Sequence, residues 1–215
     1  AIPAADMPGT PTFLYRLYCG LTMVAAPLVW HVVRKKLTAA DVPTQRQHER
    51  LGHASLPRPK GRVIWFHAAS VGETNSVLLF IEELQKRFPD VHLLLTTGTV
   101  TSAQLIKKRK LKNVIHQFVP IDTPDATNRF LRHWRPDIGL WVESELWPNL
   151  VMNAKKRGCF MVIINGRMSE KSYHSWQKYA VSMAYEMVGS FELVFAQSET
   201  DAQRFRALGA KEALY

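Results

Sequence analysis

The chain has 215 residues, 47% of them hydrophobic, with 28 Lys and Arg against 18 Asp and Glu and a formal net charge of +10. That supplies one well-cored domain plus an appendage, and excludes two nucleotide-binding domains of about 150 residues each. Aromatic and aliphatic residues throughout exclude a disordered chain, and the charge favours an anionic partner: nucleic acid, acidic lipid or a phosphorylated substrate.

The 2 cysteines, Cys19 and Cys159, and the 8 histidines show neither a disulfide framework nor zinc-ligand spacing, so the folded part reads as cytoplasmic. The chain begins with Ala1 rather than Met and stops at Tyr215, so both ends are expected to be incomplete.

Residues 1–12 read as a tail. Phe13 to Val33, FLYRLYCGLTMVAAPLVWHVV, carries no formal charge from Leu17 onward. That run lies at the short edge of the ~17–25 residues that cross a bilayer. Arg34, Lys35 and Lys36 follow at once and would hold the main domain on the cytoplasmic side. Tyr15, Tyr18 and Trp30 fit interfacial positions, whereas Pro27 and His31 weaken the spanning case. A single spanning anchor, a helix lying in the membrane surface and a buried core helix all stay open. Residues 34–60, with Pro43, Pro57 and Pro59, read as a basic and polar linker holding a short helix around Arg46 to Leu51.

From residue 61 to 215 short apolar runs alternate with longer amphipathic ones. The predicted strands are Val63–His67, Val91–Thr97, Val114–Val119, Ile138–Val142, Phe160–Ile164 and Leu193–Ala196. Predicted helices start near Glu73, Thr101, Pro124, Pro148, Ser172 and Thr200. Nearly all-apolar strands of this length are buried on both faces. Alternating with helices, they predict an α/β fold with an open, Rossmann-like parallel sheet.

Ligands of such sheets sit outside the carboxyl ends of the strands. The first predicted strand runs into Ser70-Val71-Gly72-Glu73, the fourth into Glu143-Ser144-Glu145-Leu146-Trp147-Pro148-Asn149 and the fifth into Asn165-Gly166-Arg167. Gly72 permits close backbone approach of a ligand, and the helix start behind it attracts anions. Glu73 reads equally as a residue that favours the helix dipole. Alternation puts Glu143 and Glu145 on one side if the chain stays extended, where one of them could pair with Arg167. Thr101, Asp122 and Thr200 read as caps or turn residues. The basic run Lys107-Lys108-Arg109-Lys110 reads as a solvated helix end or a contact for acidic lipid. A nucleic-acid face is disfavoured, since no stacking aromatics lie close by. No dinucleotide fingerprint, P-loop or nucleophile elbow is present.

His67 to Glu73, Glu143 to Asn149 and Asn165-Gly166-Arg167-Met168-Ser169 resemble the 3-deoxy-D-manno-octulosonic acid (Kdo) transferases. So do Pro120 to Pro124, Asn128 to Leu131, and the apolar N-terminal segment followed by Glu49-Arg50-Leu51-Gly52. The resemblance implies the N-terminal, acceptor-binding domain of an inverting GT-B glycosyltransferase whose donor-binding domain lies outside this chain. It implies CMP-Kdo as donor, a lipid A precursor as acceptor, no metal and no cofactor. Glu73 matches the family's general base, and a second important glutamate falls at Glu143 or Glu145. Ser70, Gly72, Asn149, Asn165 and Arg167 are the candidate substrate-binding residues. A transferase for another nucleotide sugar and a non-catalytic membrane-tethered binding module are the competing readings.

Overall fold

The computed structural model describes residues 12–143 and 145–215, so the tail up to residue 11 and Ser144 lie outside the described residues. Helix α1 (Phe13–Ala39) leads into α2 (Thr44–Gln47) and a 3-10 turn (His48–Leu51). The sheet and its crossovers follow as β1 (Val63–His67), α3 (Val71–Arg87), β2 (His92–Thr97), α4 (Val100–Arg109), β3 (Val114–Phe118), α5 (Pro124–Trp134), β4 (Ile138–Val142) and α6 (Pro148–Lys156). The remainder is β5 (Phe160–Gly166), α7 (Glu170–Tyr179), α8 (Val181–Val188), β6 (Leu193–Ala196), α9 (Glu199–Ala207) and β7 (Ala213–Leu214).

All strands run parallel in one open sheet of order β3-β2-β1-β4-β5-β6-β7. The expected α/β class holds, and the six strands read from the sequence end within about two residues of those observed. Two-residue β7, which pairs with β6, goes beyond that reading. The helix expected near Ser172 is two helices, because Ala180 leaves helical geometry at φ −150°. The break lets α8 bury Met183, Ala184, Met187 and Val188, whereas α7 buries no side chain fully.

Side-chain alternation along each strand divides the core. Phe66, Leu93 and Leu95 pack with Val77 and Ile81 of α3 and Ile106 of α4 on one face. Trp65, Leu94 and Trp141 pack on the other with Phe130 and Trp134 of α5, Leu150 of α6 and Phe205 of α9. The indoles of Trp65 and Trp141 meet edge-on, ring centroids 4.5 Å apart, a favoured aromatic arrangement.

Residues 44–52 are bonded into the domain. Strand β3 is the sheet edge, and edge strands expose unpaired backbone groups. Here the fully buried Glu49 accepts a 2.9 Å hydrogen bond from the Phe118 amide. The Ile121 amide donates to the Arg50 carbonyl at 2.7 Å, and Arg129 donates to the Leu51 carbonyl. Lys107, Lys108 and Arg109 lie exposed in the last turn of α4, where cations complement the helix dipole.

Helix α1 runs through Pro27 and is long and apolar enough to cross a membrane, which makes it a candidate membrane anchor. Its inward face is tied to the domain. Tyr18 Oη donates to Asp122 Oδ2 at 2.8 Å, Asn149 Nδ2 donates to Thr22 Oγ1 at 3.1 Å, and Leu37 packs with Val42 and Phe118.

Candidate functional site

The chain travels outward from β1 to β2 and β3, then crosses back to β4 on the other side of β1. In an open parallel sheet this reversal leaves a crevice beyond the strand ends, because the connections leave in opposite directions. Strands β1 and β4 are hydrogen-bonded neighbours, with His67 level with Trp141. Glu73 follows the first of them, and Glu143 and Glu145 follow the second, so the topology brings all three carboxylates to the same end of the sheet, at this crevice.

Glu73 is fixed by the start of α3. Ser70 is the N-cap: its Oγ accepts from the Glu73 amide at 3.2 Å, and Glu73 Oε2 accepts from the Ala69 and Ser70 amides. This capping box satisfies amides that a helix start otherwise leaves unpaired. Both bonds fall on Oε2, so Oε1 is the oxygen open to a further proton. Burial pushes the Glu73 carboxyl up from its ordinary value. The two amides oppose this, and the charges of Glu143 and Glu145 add to it.

The chain does not stay extended past Val142. Glu143 has φ +62°, so the alternation expected to align Glu143 with Glu145 is lost at the first residue beyond the strand. The charges of both nevertheless bear on the Glu73 carboxyl. Trp147 Nε1 donates to Glu145 Oε1 at 2.7 Å.

Arg50 is a member of this rim that strand-end reading misses. It donates to the Val119 carbonyl beyond β3. Burial pulls its guanidinium down to about 10, and Glu145 opposes that shift. His67, buried at the end of β1, is held down to about 4 by burial, with the charge of Arg50 adding to it. It is therefore neutral at pH 7. The one sequence signal for Arg50 was its place in the Glu49-Arg50-Leu51-Gly52 block.

The other candidates separate. Arg167 is exposed and makes no ion pair among the described residues, so the pairing with Glu143 or Glu145 that the sequence left open is not formed. Asn165 sits exposed at φ +52°, a conformation asparagine tolerates, and its carbonyl accepts from Gln197 Nε2 at 3.2 Å. Asn149, in contrast, is fully buried. Its Oδ1 accepts from Tyr15 Oη and Cys19 Sγ, and its Nδ2 donates to Thr22 Oγ1 and the Asp122 carbonyl. The amide has no capacity left for a substrate; it ties α1 to the rim. Asp122 does more than end a turn: it accepts from the Asn149 and Leu150 amides at 2.9 and 2.8 Å. It thereby caps α6, whose own N-cap residue, Trp147, makes no side-chain cap bond.

Gly72 meets no steric demand. A Cβ there would approach only Ser70 Oγ, at 3.9 Å, and its φ is not left-handed. Gly72→Ala is therefore expected to hold or raise stability, by up to about 1 kcal/mol from helix propensity. If a ligand approaches this backbone, the same variant raises KM. Thermal unfolding and transfer kinetics of the full-length protein check both halves.

A family model described as 3-deoxy-D-manno-octulosonic-acid transferase (kdotransferase) matches residues 45–214. A 3-deoxy-D-manno-octulosonic acid transferase of Rickettsia bellii is 36% identical over 196 residues, 91% of this chain and 46% of the relative. A probable mitochondrial 3-deoxy-D-manno-octulosonic acid transferase of Arabidopsis thaliana is 37% identical over 92% of this chain and 44% of its own length. The Haemophilus influenzae 3-deoxy-D-manno-octulosonic acid transferase is 31% identical over 89% and 45%. The chain thus spans about half the length of these relatives.

Proposed function

The chain belongs to the 3-deoxy-D-manno-octulosonic acid transferase family, and from that premise we propose that it is the acceptor-binding half of an inverting GT-B enzyme. This enzyme moves Kdo from CMP-Kdo to a lipid A precursor in lipopolysaccharide synthesis, at the cytoplasmic face of a bacterial inner membrane. The observation that carries the reading is the convergence of Glu73, Glu143 and Glu145 at the switch-point crevice of the sheet. The reading invokes no metal and no cofactor.

In this reading an acceptor hydroxyl attacks the anomeric carbon of Kdo while the bond to the CMP phosphate breaks. Glu73 takes the hydroxyl proton, and CMP leaves with the bonding electrons. Positive charge developing on the sugar is stabilised by a neighbouring carboxylate, Glu143 or Glu145. Exposed Arg167 and the α3 start at Ser70 and Gly72 offer contacts for the anionic acceptor.

The test uses the gene product extended past Tyr215, with CMP-Kdo and a lipid A precursor. Formation of the Kdo-bearing lipid, competed by CMP and not by UDP, supports the reading. Turnover of another nucleotide sugar alone, or lipid binding without turnover by the folded protein, sinks it.

The acid limb of the pH–rate profile follows from the same geometry. A base works when deprotonated, and the Glu73 carboxyl is raised, so rate is lost on acidification at a pH above the ordinary glutamate value. Glu143→Gln or Glu145→Gln removes a like charge and moves that limb to lower pH, whatever it does to the plateau. A limb that stays in place in both variants excludes Glu73 as the titrating base.

A further inference from the structure

We infer that α1 does not cross the bilayer but lies along its surface. Its outward stripe dips into the boundary between headgroups and acyl chains of an anionic membrane. The inference rests on the geometry of this chain and does not depend on the transferase reading.

The helix has two faces. Phe13, Leu17, Leu21, Val24, Leu28 and Val32 recur at steps of three and four and are all exposed, Phe13 at 80% and Val24 at 84%. Such spacing places them in one stripe along the helix. The opposite face is tied to the domain at both ends. Near the N-terminus Tyr15 and Thr22 bond to Asn149, and Tyr18 bonds to Asp122. Near the C-terminus Trp30 stacks by His48, ring centroids 5.9 Å apart, and Leu37 packs with Val42 and Phe118.

From Tyr15 to Leu37 the helix is about 33 Å long at the usual rise, as long as a hydrocarbon core is thick, ~30 Å. A helix bound to its own domain at both ends of that length can cross only by drawing Asp122, Asn149 and the sheet rim into hydrocarbon. Burying such polar groups away from water costs far more than an in-plane helix requires. A helix lying flat immerses only its outer stripe.

Charge selects the occupant. Arg16 and Arg34, both exposed, are five helical turns apart and therefore share one border of the stripe. Lys35 and Lys36 lie at its C-terminal end, also exposed. A second copy of a chain carrying a net charge of +10 would set cation against cation across this stripe, whereas acidic lipid complements it. Because the inward face bonds to groups just beyond β3 and β4, this placement also holds the carboxylate crevice near the membrane surface.

The test places a nitroxide at Phe13→Cys, Val24→Cys or Val32→Cys, one at a time. The background is the full chain with Cys19→Ser and Cys159→Ala. Depth is read from oxygen and nickel-chelate collisions in phosphatidylcholine vesicles containing phosphatidylglycerol. Equal, shallow depths at all three positions are expected. A label at Val24 near the bilayer centre, with Phe13 reaching the lumen, means the helix spans and overturns the inference. Labels that stay in water at saturating lipid, or that are shielded only by a second copy, overturn it too. Arg16→Gln with Arg34→Gln should weaken vesicle partitioning by about fivefold per cation removed, and unchanged partitioning would overturn the acidic-lipid assignment.

Discussion

In the full-length protein, Glu73→Gln is expected to cut kcat for Kdo transfer by ~10²–10⁴, the usual contribution of a positioned general base, while leaving the unfolding midpoint almost unmoved. The Gln carbonyl oxygen can still accept from the Ala69 and Ser70 amides that now bond to Glu73 Oε2. The helix start therefore keeps its caps. The substitution also removes a buried charge that two others oppose, since Glu143 and Glu145 both push the Glu73 carboxyl upward. Glu73→Ala lacks this neutrality: it leaves the two amides without their acceptor and costs about 1 kcal/mol as well as activity. Rate and midpoint measured on the same preparations separate the two roles. Normal turnover in a folded Glu73→Gln protein would transfer the base to Glu143 or Glu145.

How far the sequence could be read follows the range of the interactions involved. Strands such as Val63–His67 and Ile138–Val142 were legible to the residue, because a short apolar run buried on both faces has little freedom in where it begins. Once the alternation with helices implied a parallel sheet, the rim carrying Glu73, Glu143 and Glu145 was legible too. What pattern cannot show is pairing between distant positions. Tyr15 and Asn149 are 134 residues apart, and only their contact reveals that Asn149 serves α1. Arg50 lay in a segment whose prolines and polar residues read as a linker, yet the turn beneath it is bonded to β3 and α5. The left-handed backbone at Glu143 was hidden for a different reason: a bulky acidic residue gives no local sign of a conformation set by the loop that follows.

The seat of that segment gives the largest expected loss of stability from a single methyl group. Gly52 closes the 3-10 turn at φ +85°, and a Cβ there would lie 2.1 Å from the Ala126 carbonyl oxygen and 3.1 Å from the Phe130 amide nitrogen. Both belong to the backbone of α5, so no side chain can turn aside. Relief requires moving a helix that buries Phe130, Leu131 and Trp134. The left-handed conformation costs Ala about 1–2 kcal/mol, and overpacking adds about 1–3 kcal/mol. Gly52→Ala is therefore expected to lose about 2–5 kcal/mol in denaturant unfolding. Gly61→Ala is the matched control: φ is +90°, yet nothing lies within 4 Å of its Cβ. It should lose only the conformational part, and the difference between the two midpoints isolates the clash. Because Arg50 lies two residues before Gly52, pushing the turn off α5 also moves the cation beside Glu145. Gly52→Ala in the full-length protein should then lose transfer activity even at temperatures where it stays folded, and Gly61→Ala should not. Equal midpoints for the two variants would mean that residues 44–52 are not seated on α5 in solution, and that Arg50 is not held at the rim.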